Sequence, residues 1–204
     1  DHVRAPRTVG LLLVRRGAAT DPAGKEGLAA ITTDMLDEGT GALSAIEIHE
    51  ALARVGAQLD SDIGPDATVL TVTVLSRFLR PAVNLLSDIV VRPSMREEDF
   101  ERVRQLRLHR LVQLRDMPGA VADRAFMRLL YGNHPYGHTP LGNEASLSSL
   151  TVDDVRGFHA ANVRPGDATL VVAGDCSHED VETLAAELFA GWTGSASTPE
   201  PEPA

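Results

Sequence analysis

The 204-residue chain has one cysteine, Cys176. A single thiol closes no internal disulfide and founds no cysteine-rich metal site, so Cys176 is read as a packing residue. Long apolar runs are also missing: none approaches the ~18 to 20 residues that a membrane-spanning helix needs. Basic charge is in short supply. Nineteen Lys and Arg face 29 Asp and Glu, for a net charge of −10, a balance that disfavours nucleic acid or an anionic membrane as partner. The basic residues are almost all arginine, and those between Arg96 and Arg115 are offset by Glu97, Glu98, Asp99 and Glu101, as on a solvated helix face. No G-x-S-x-G marks a serine nucleophile; Ser146, Ser148 and Ser149 belong to a polar helix approach. Neither an internal repeat nor a secretory signal at Asp1 is read. The opening without Met suits an excised domain or processed fragment, which leaves localisation open.

What is present is a regular alternation of strand and helix signals. Val9–Val14, short and bounded by glycine, reads as a buried strand. An amphipathic helix follows Gly27 and stops at Gly39-Thr40-Gly41. Ser44 with Glu47 forms a capping box for a second helix that ends at Gly56. Ala57–Ile63 and Thr68–Leu75 alternate as strands around Gly64-Pro65-Asp66, which predicts a hairpin. Helical spacing returns over Arg77–Val91, is broken at Pro93, and resumes over the long segment Arg96–Met117 and over Ala120–Tyr131. A turn-rich loop, Gly132–His138, comes next. Thr151 caps a helix through Ala161, Ala168–Ala173 is a strand, and His178–Phe189 is a last helix. Residues 1–192 are expected to form one domain, and the Pro/Ser/Glu-rich stretch 193–204 to be a linker or disordered tail.

The stretch Gly27–Thr40, GLAAITTDMLDEGT, carries the most specific signal. Leu28, Ile31, Met35 and Leu36 share one side of the helix, while Ala30, Thr33 and Asp34 fall on the other. The frame Gly27-Leu28-Ala29, then Met35-Leu36, then Glu38-Gly39-Thr40, resembles the zinc helix of the pitrilysin/insulinase metallopeptidases, family M16. There it encloses the inverted motif H-x-x-E-H. Gly56-Ala57, Pro93, Asp116-x-Pro118, His134-Pro-Tyr-Gly137, Gly142 and Gly174-Asp175 extend the resemblance in order along the chain.

The resemblance implies an α+β fold, the αβ-roll of LuxS/MPP-like metallohydrolases, with a mixed β-sheet covered by helices on one face. Localisation stays unknown, with the periplasm or cytoplasm of a bacterium as the places considered. At the positions of the two zinc histidines stand Ala30 and Asp34, and at that of the general-base glutamate stands Thr33. The third ligand, a glutamate of the long helix, aligns with Arg110. A catalytic Zn²⁺ needs about three protein ligands and an open position, and a guanidinium is no ligand. Neither a cofactor nor zinc at the family position is therefore expected, and the domain is not expected to be an enzyme on its own. Asp34 and Arg110, at positions that converge on one ion in active relatives, are expected to form an ion pair tying the two helices together. The alternative leaves Arg110 in solvent.

Active relatives bind substrate as an added strand at a sheet edge, and Ala57, Gln58, Leu59, Asp60 and Ser61 correspond to that edge. Three functions stay open. The first is a non-catalytic M16-like domain packing against a zinc-bearing half or subunit and holding extended peptide. The second is an active zinc metalloendopeptidase with a displaced site at His134/His138 and Asp34. The third is a purely structural module like the core subunits of respiratory complexes. Whether the chain is the first or second half of a parent is also open.

Overall fold

The computed structural model describes residues 6–196. Four strands form one sheet in the order β2-β3-β1-β4. They are β1 (Arg7–Val14), β2 (Gln58–Ile63), β3 (Thr68–Leu75) and β4 (Ala168–Ala173). The α+β class is as expected. The sheet, expected as mixed, is antiparallel at all three described pairings. The last pairing shows why. The turn Pro165–Asp167 delivers the chain to the end of β1, where Arg15 N–H donates to the Asp167 carbonyl at 2.9 Å, so β4 runs back along β1 from Val14↔Ala168 to Val9↔Ala173.

Alternation with period two sorts the sheet into faces. Leu12, Val14, Leu70, Val72 and Val74 are buried, whereas Val9, Leu11 and Leu13 on the other face are half-covered. The buried face joins one apolar cluster with α1 (Leu28–Asp34), α2 (Ala45–Val55), α3 (Leu79–Val91) and α4 (Glu97–Arg115). That cluster also takes in residues of α6 (Glu144–Ser149), α7 (Val152–Asn162) and α8 (His178–Leu188). The remaining helix, α5 (Pro118–Tyr131), buries none of its residues.

Local signals set the helix ends. The Ser44/Glu47 capping box is complete, and so is that of Thr151 with Asp154. A third box, Asn143 with Ser146, starts α6, which the sequence pattern did not announce. Gly27 has a left-handed backbone (φ 98°) and lies back to back with Gly142. A Cβ on Gly142 would stand 2.1 Å from the Glu26 carbonyl, so that crossing needs two glycines. The expected tail 193–204 falls outside the described residues from 197 onward.

Candidate functional site

The entry to α1 is fixed from a distance. The Asp21 carboxylate is fully buried and accepts hydrogen bonds from the N–H groups of Gly27 and Ala29, both at 2.7 Å. It thereby satisfies donors that a helix N-terminus leaves open, where negative charge is favoured. His138 Nε2 lies 3.2 Å from the same carboxylate and 3.0 Å from the Ala18 carbonyl. The hydrogen bond to Asp21 outweighs partial burial and raises the His138 pKa, with Glu26 adding to the effect.

On the other side of α1, the positions of the inherited motif part company. Ala30 is 1% exposed and covered by the surrounding elements. Thr33 donates its hydroxyl to the Ala29 carbonyl at 2.9 Å and lines a void of about 10 Å³ with Val14, Thr32, Leu70 and Phe158. Only Asp34 opens onto a groove of about 460 Å³, whose walls include Ser61 of β2 and Val103, Leu106, Arg107 and Arg110 of α4. Asp37 and Glu38, at the exit of α1, line it too. Desolvation, then the neighbouring Glu38 and Asp34 charges, raise the Asp37 pKa, offset in part by His49.

The expected ion pair between Asp34 and Arg110 is not formed. Asp34 Oδ2 instead accepts from Arg107 Nε at 2.7 Å, while Arg110 is exposed and reaches Gln113 Oε1 at 3.5 Å. Helix geometry explains the exchange. At about 100° per residue, Arg107 lies between the directions of Leu111 and Leu114 and close to that of Phe100, near the middle of the inward stripe. Arg110 and Leu106 lie at its edge. Phe100, Val103 and Leu111 are buried and Leu106 is 57% exposed. The expected tie between the two helices therefore exists with Arg107 as its cation, and a second bridge from Arg102 to Glu38 reinforces it.

The groove supplies poor chemistry for a divalent metal. The Asp34 carboxylate is engaged by one guanidinium and a second stands on the same wall, which repels a cation. Nor do His134, His138 and Asp34 assemble a displaced site. His134 Nδ1 accepts from the Tyr136 N–H at 3.1 Å inside a cluster with Tyr131 and Tyr136, His138 is bound to Asp21, and Asp34 to Arg107. Among the described residues no three His, Cys, Asp or Glu side chains stand together as a metal set. The sequence pattern missed both Arg107 and the Asp21–His138 contact. The first was visible on the helical wheel; the second spans 117 residues and left no local trace.

The proposed peptide edge is a sheet edge. Among the described residues β2 pairs with β3 alone, and Asp60 and Ser61 are exposed. The strand runs between the groove just described, which Ser61 lines, and a second groove of about 350 Å³ formed by His49, Leu52 and Ala53 with Ala57–Asp60.

This fold and degenerate motif define a class. The family model of insulinase (peptidase family M16) matches residues 4–144, and that of the peptidase M16 inactive domain matches residues 149–204. The chain belongs to peptidase family M16. Similar proteins include an uncharacterized zinc protease of Mycobacterium leprae, 27% identical over 93% of this chain and 43% of its own length, and another from Rickettsia felis, 26% identical over 87% and 43%. Among solved structures, a peptidase M16 inactive domain from Pseudomonas fluorescens superposes with a TM-score of 0.91 at 26% identity, covering 98% of this chain and 49% of that one. Pitrilysin shares the fold, with a TM-score of 0.80 at 22% identity over 93% of this chain and 21% of its own. The chain thus spans less than half the length of these relatives. Among the described residues no helix is long and apolar enough to cross a membrane.

Proposed function

We propose that this chain is a non-catalytic M16 half that packs against a second, zinc-bearing M16 domain or subunit and helps hold extended peptide. The observation that carries the reading is the state of the groove at Asp34, where an aspartate stands at the position of a zinc histidine and a guanidinium engages its carboxylate. With Ala30 covered and the Thr33 hydroxyl spent on its own helix, those two positions supply neither a ligand nor a base for a metal-bound water. No zinc-dependent step is assigned to this half.

The β2 edge supports the holding role. A free strand edge offers main-chain donors and acceptors to an added strand without any metal, and here it borders two grooves that can receive alternate side chains. The test combines metal analysis of the purified chain with hydrolysis of an unfolded protein substrate, with and without chelator. Expected are no stoichiometric zinc and no chelator-sensitive cleavage by this chain alone. Stoichiometric zinc with such cleavage would overturn the reading in favour of a metalloendopeptidase. A purely structural role is separated by titrating labelled extended peptides, because saturable binding lost on Ser61→Pro, which removes a main-chain donor from the edge, is expected only of a holding domain.

A further inference from the structure

Helix α5 is amphipathic, yet the described residues bury none of its side chains. Phe126 is 61% exposed, Leu129 86%, Leu130 59% and Val121 48%. The body reaches α5 through contacts such as Arg124 to the Gly142 carbonyl at 3.4 Å and the Tyr131 ring edge-on to Tyr136. An isolated helix of 14 residues is marginal in water, and most helices in proteins are held by burial of an apolar face. The exposed apolar character does not stop at α5. From α4 to the N-cap of α5, the apolar Leu106 and Met117 recur at helical spacing with the polar Arg110 and Gln113 and all four are exposed, so a mixed stripe runs from the groove at Asp34 to the start of α5. Contiguous apolar exposure of this kind marks an interaction surface rather than scattered surface leucines.

We propose that the outer face of α5, continued by the Leu106–Met117 stripe of α4, is the seat of the second M16 half. The inference rests on the proposed function, which supplies that partner, and adds the surface by which it is bound. Two observations select the occupant. The M. leprae and P. fluorescens relatives carry more than as much sequence again beyond the stretch matched here, so in them a segment of domain size is at hand to cover such a face. A second copy of this chain is disfavoured by charge, since each carries −10 and like charges oppose association. The seat itself is weakly positive, with Asp123 against Arg110, Arg124 and Arg128, and suits an apolar, weakly acidic partner face. It also places the groove at Asp34 and the β2 edge beside the contact.

The test co-produces this chain with an M16 half bearing an intact H-x-x-E-H from the same genome. It reads association by sedimentation velocity, and hydrogen exchange of residues 118–131 with and without the partner. Leu129→Glu and Phe126→Asp are expected to weaken association at least tenfold. Ile46→Glu on α2, equally exposed at 72%, is expected to leave it unchanged. Circular dichroism confirms that each variant folds, and α5 gains exchange protection only in the complex. Association of the wild type that is indifferent to the α5 variants overturns this inference while sparing the proposed function. No association of the wild type with the zinc-bearing half overturns both.

Discussion

Helices α3 and α5 are nearly equal in length, 13 and 14 residues, and both are amphipathic in sequence. α3 buries eight residues, among them Val83, Leu86 and Ile89, against the sheet and α2. α5 buries none. Periodicity therefore tells that a helix has an apolar face without telling what covers it, and among the described residues only the face of α3 is covered. The largest effect expected from probing the contrast is on the α3 side. Leu86→Ala should cost about 2–5 kcal/mol, the range for truncating a closely packed leucine, read from the denaturant midpoint at unchanged m-value. A cost below ~1 kcal/mol would mean that α3 is no better anchored than α5.

The link between the α5 region and the body comes next. Asp21→Ala removes the acceptor for two N–H groups of α1 and the partner of His138 at once, and should cost about 2–3 kcal/mol, typical of hydrogen bonds to a buried charge. His138 makes the contact pH-dependent. Its pKa is raised in the folded chain, so its contribution is fully present below the unfolded value of about 6.5 and is lost as pH rises through the folded pKa. Asp21 and Glu26 are the negative groups facing it, and Arg124 and Arg128 line the same cleft. The stability gap between wild type and His138→Gln should shrink as pH is raised from about 5 to about 8. A gap that widens would reverse the assignment of charge.

A smaller effect separates the two arginines of the groove. Arg107→Ala should cost about 1 kcal/mol, because the pair with Asp34 is only half shielded. Arg110→Ala should change stability by less than ~0.5 kcal/mol, as surface substitutions do. Thermal unfolding of the two variants side by side decides it, and equal costs would argue that both guanidinium groups share Asp34.

Much of the fold was legible because its signals are local. The Ser44/Glu47 and Thr151/Asp154 boxes, the hairpin around Gly64-Pro65-Asp66 and the frame Gly27–Thr40 each lie within a few residues, and the first two are met in the structure as complete boxes. α6 was missed because it is six residues long and its box, Asn143 with Ser146, precedes no apolar run. The candidate site was half legible. Position counting found Asp34 and α4, but which arginine faces Asp34 depends on the rotation of α4 about its axis. That rotation is set by Phe100, Val103 and Leu111 settling into the core. The Asp21–His138 contact depends on tertiary folding alone.

The smallest expected effect completes the contrast between α3 and α5. Leu129→Ser removes an apolar side chain that is 86% exposed in the folded chain. Burial free energy scales with area withdrawn from water, and here almost none is withdrawn on folding, so stability should stay within ~0.5 kcal/mol of wild type. Binding of a hydrophobic dye should nevertheless fall, because the substituted side chain belongs to the exposed patch. Loss of a leucine side chain, costly at Leu86, should thus be silent in unfolding at Leu129 and visible only at the surface. A loss of ~2 kcal/mol or more at Leu129 would show that α5 is already covered in the free chain, and would remove the reason for seeking its cover in a second domain.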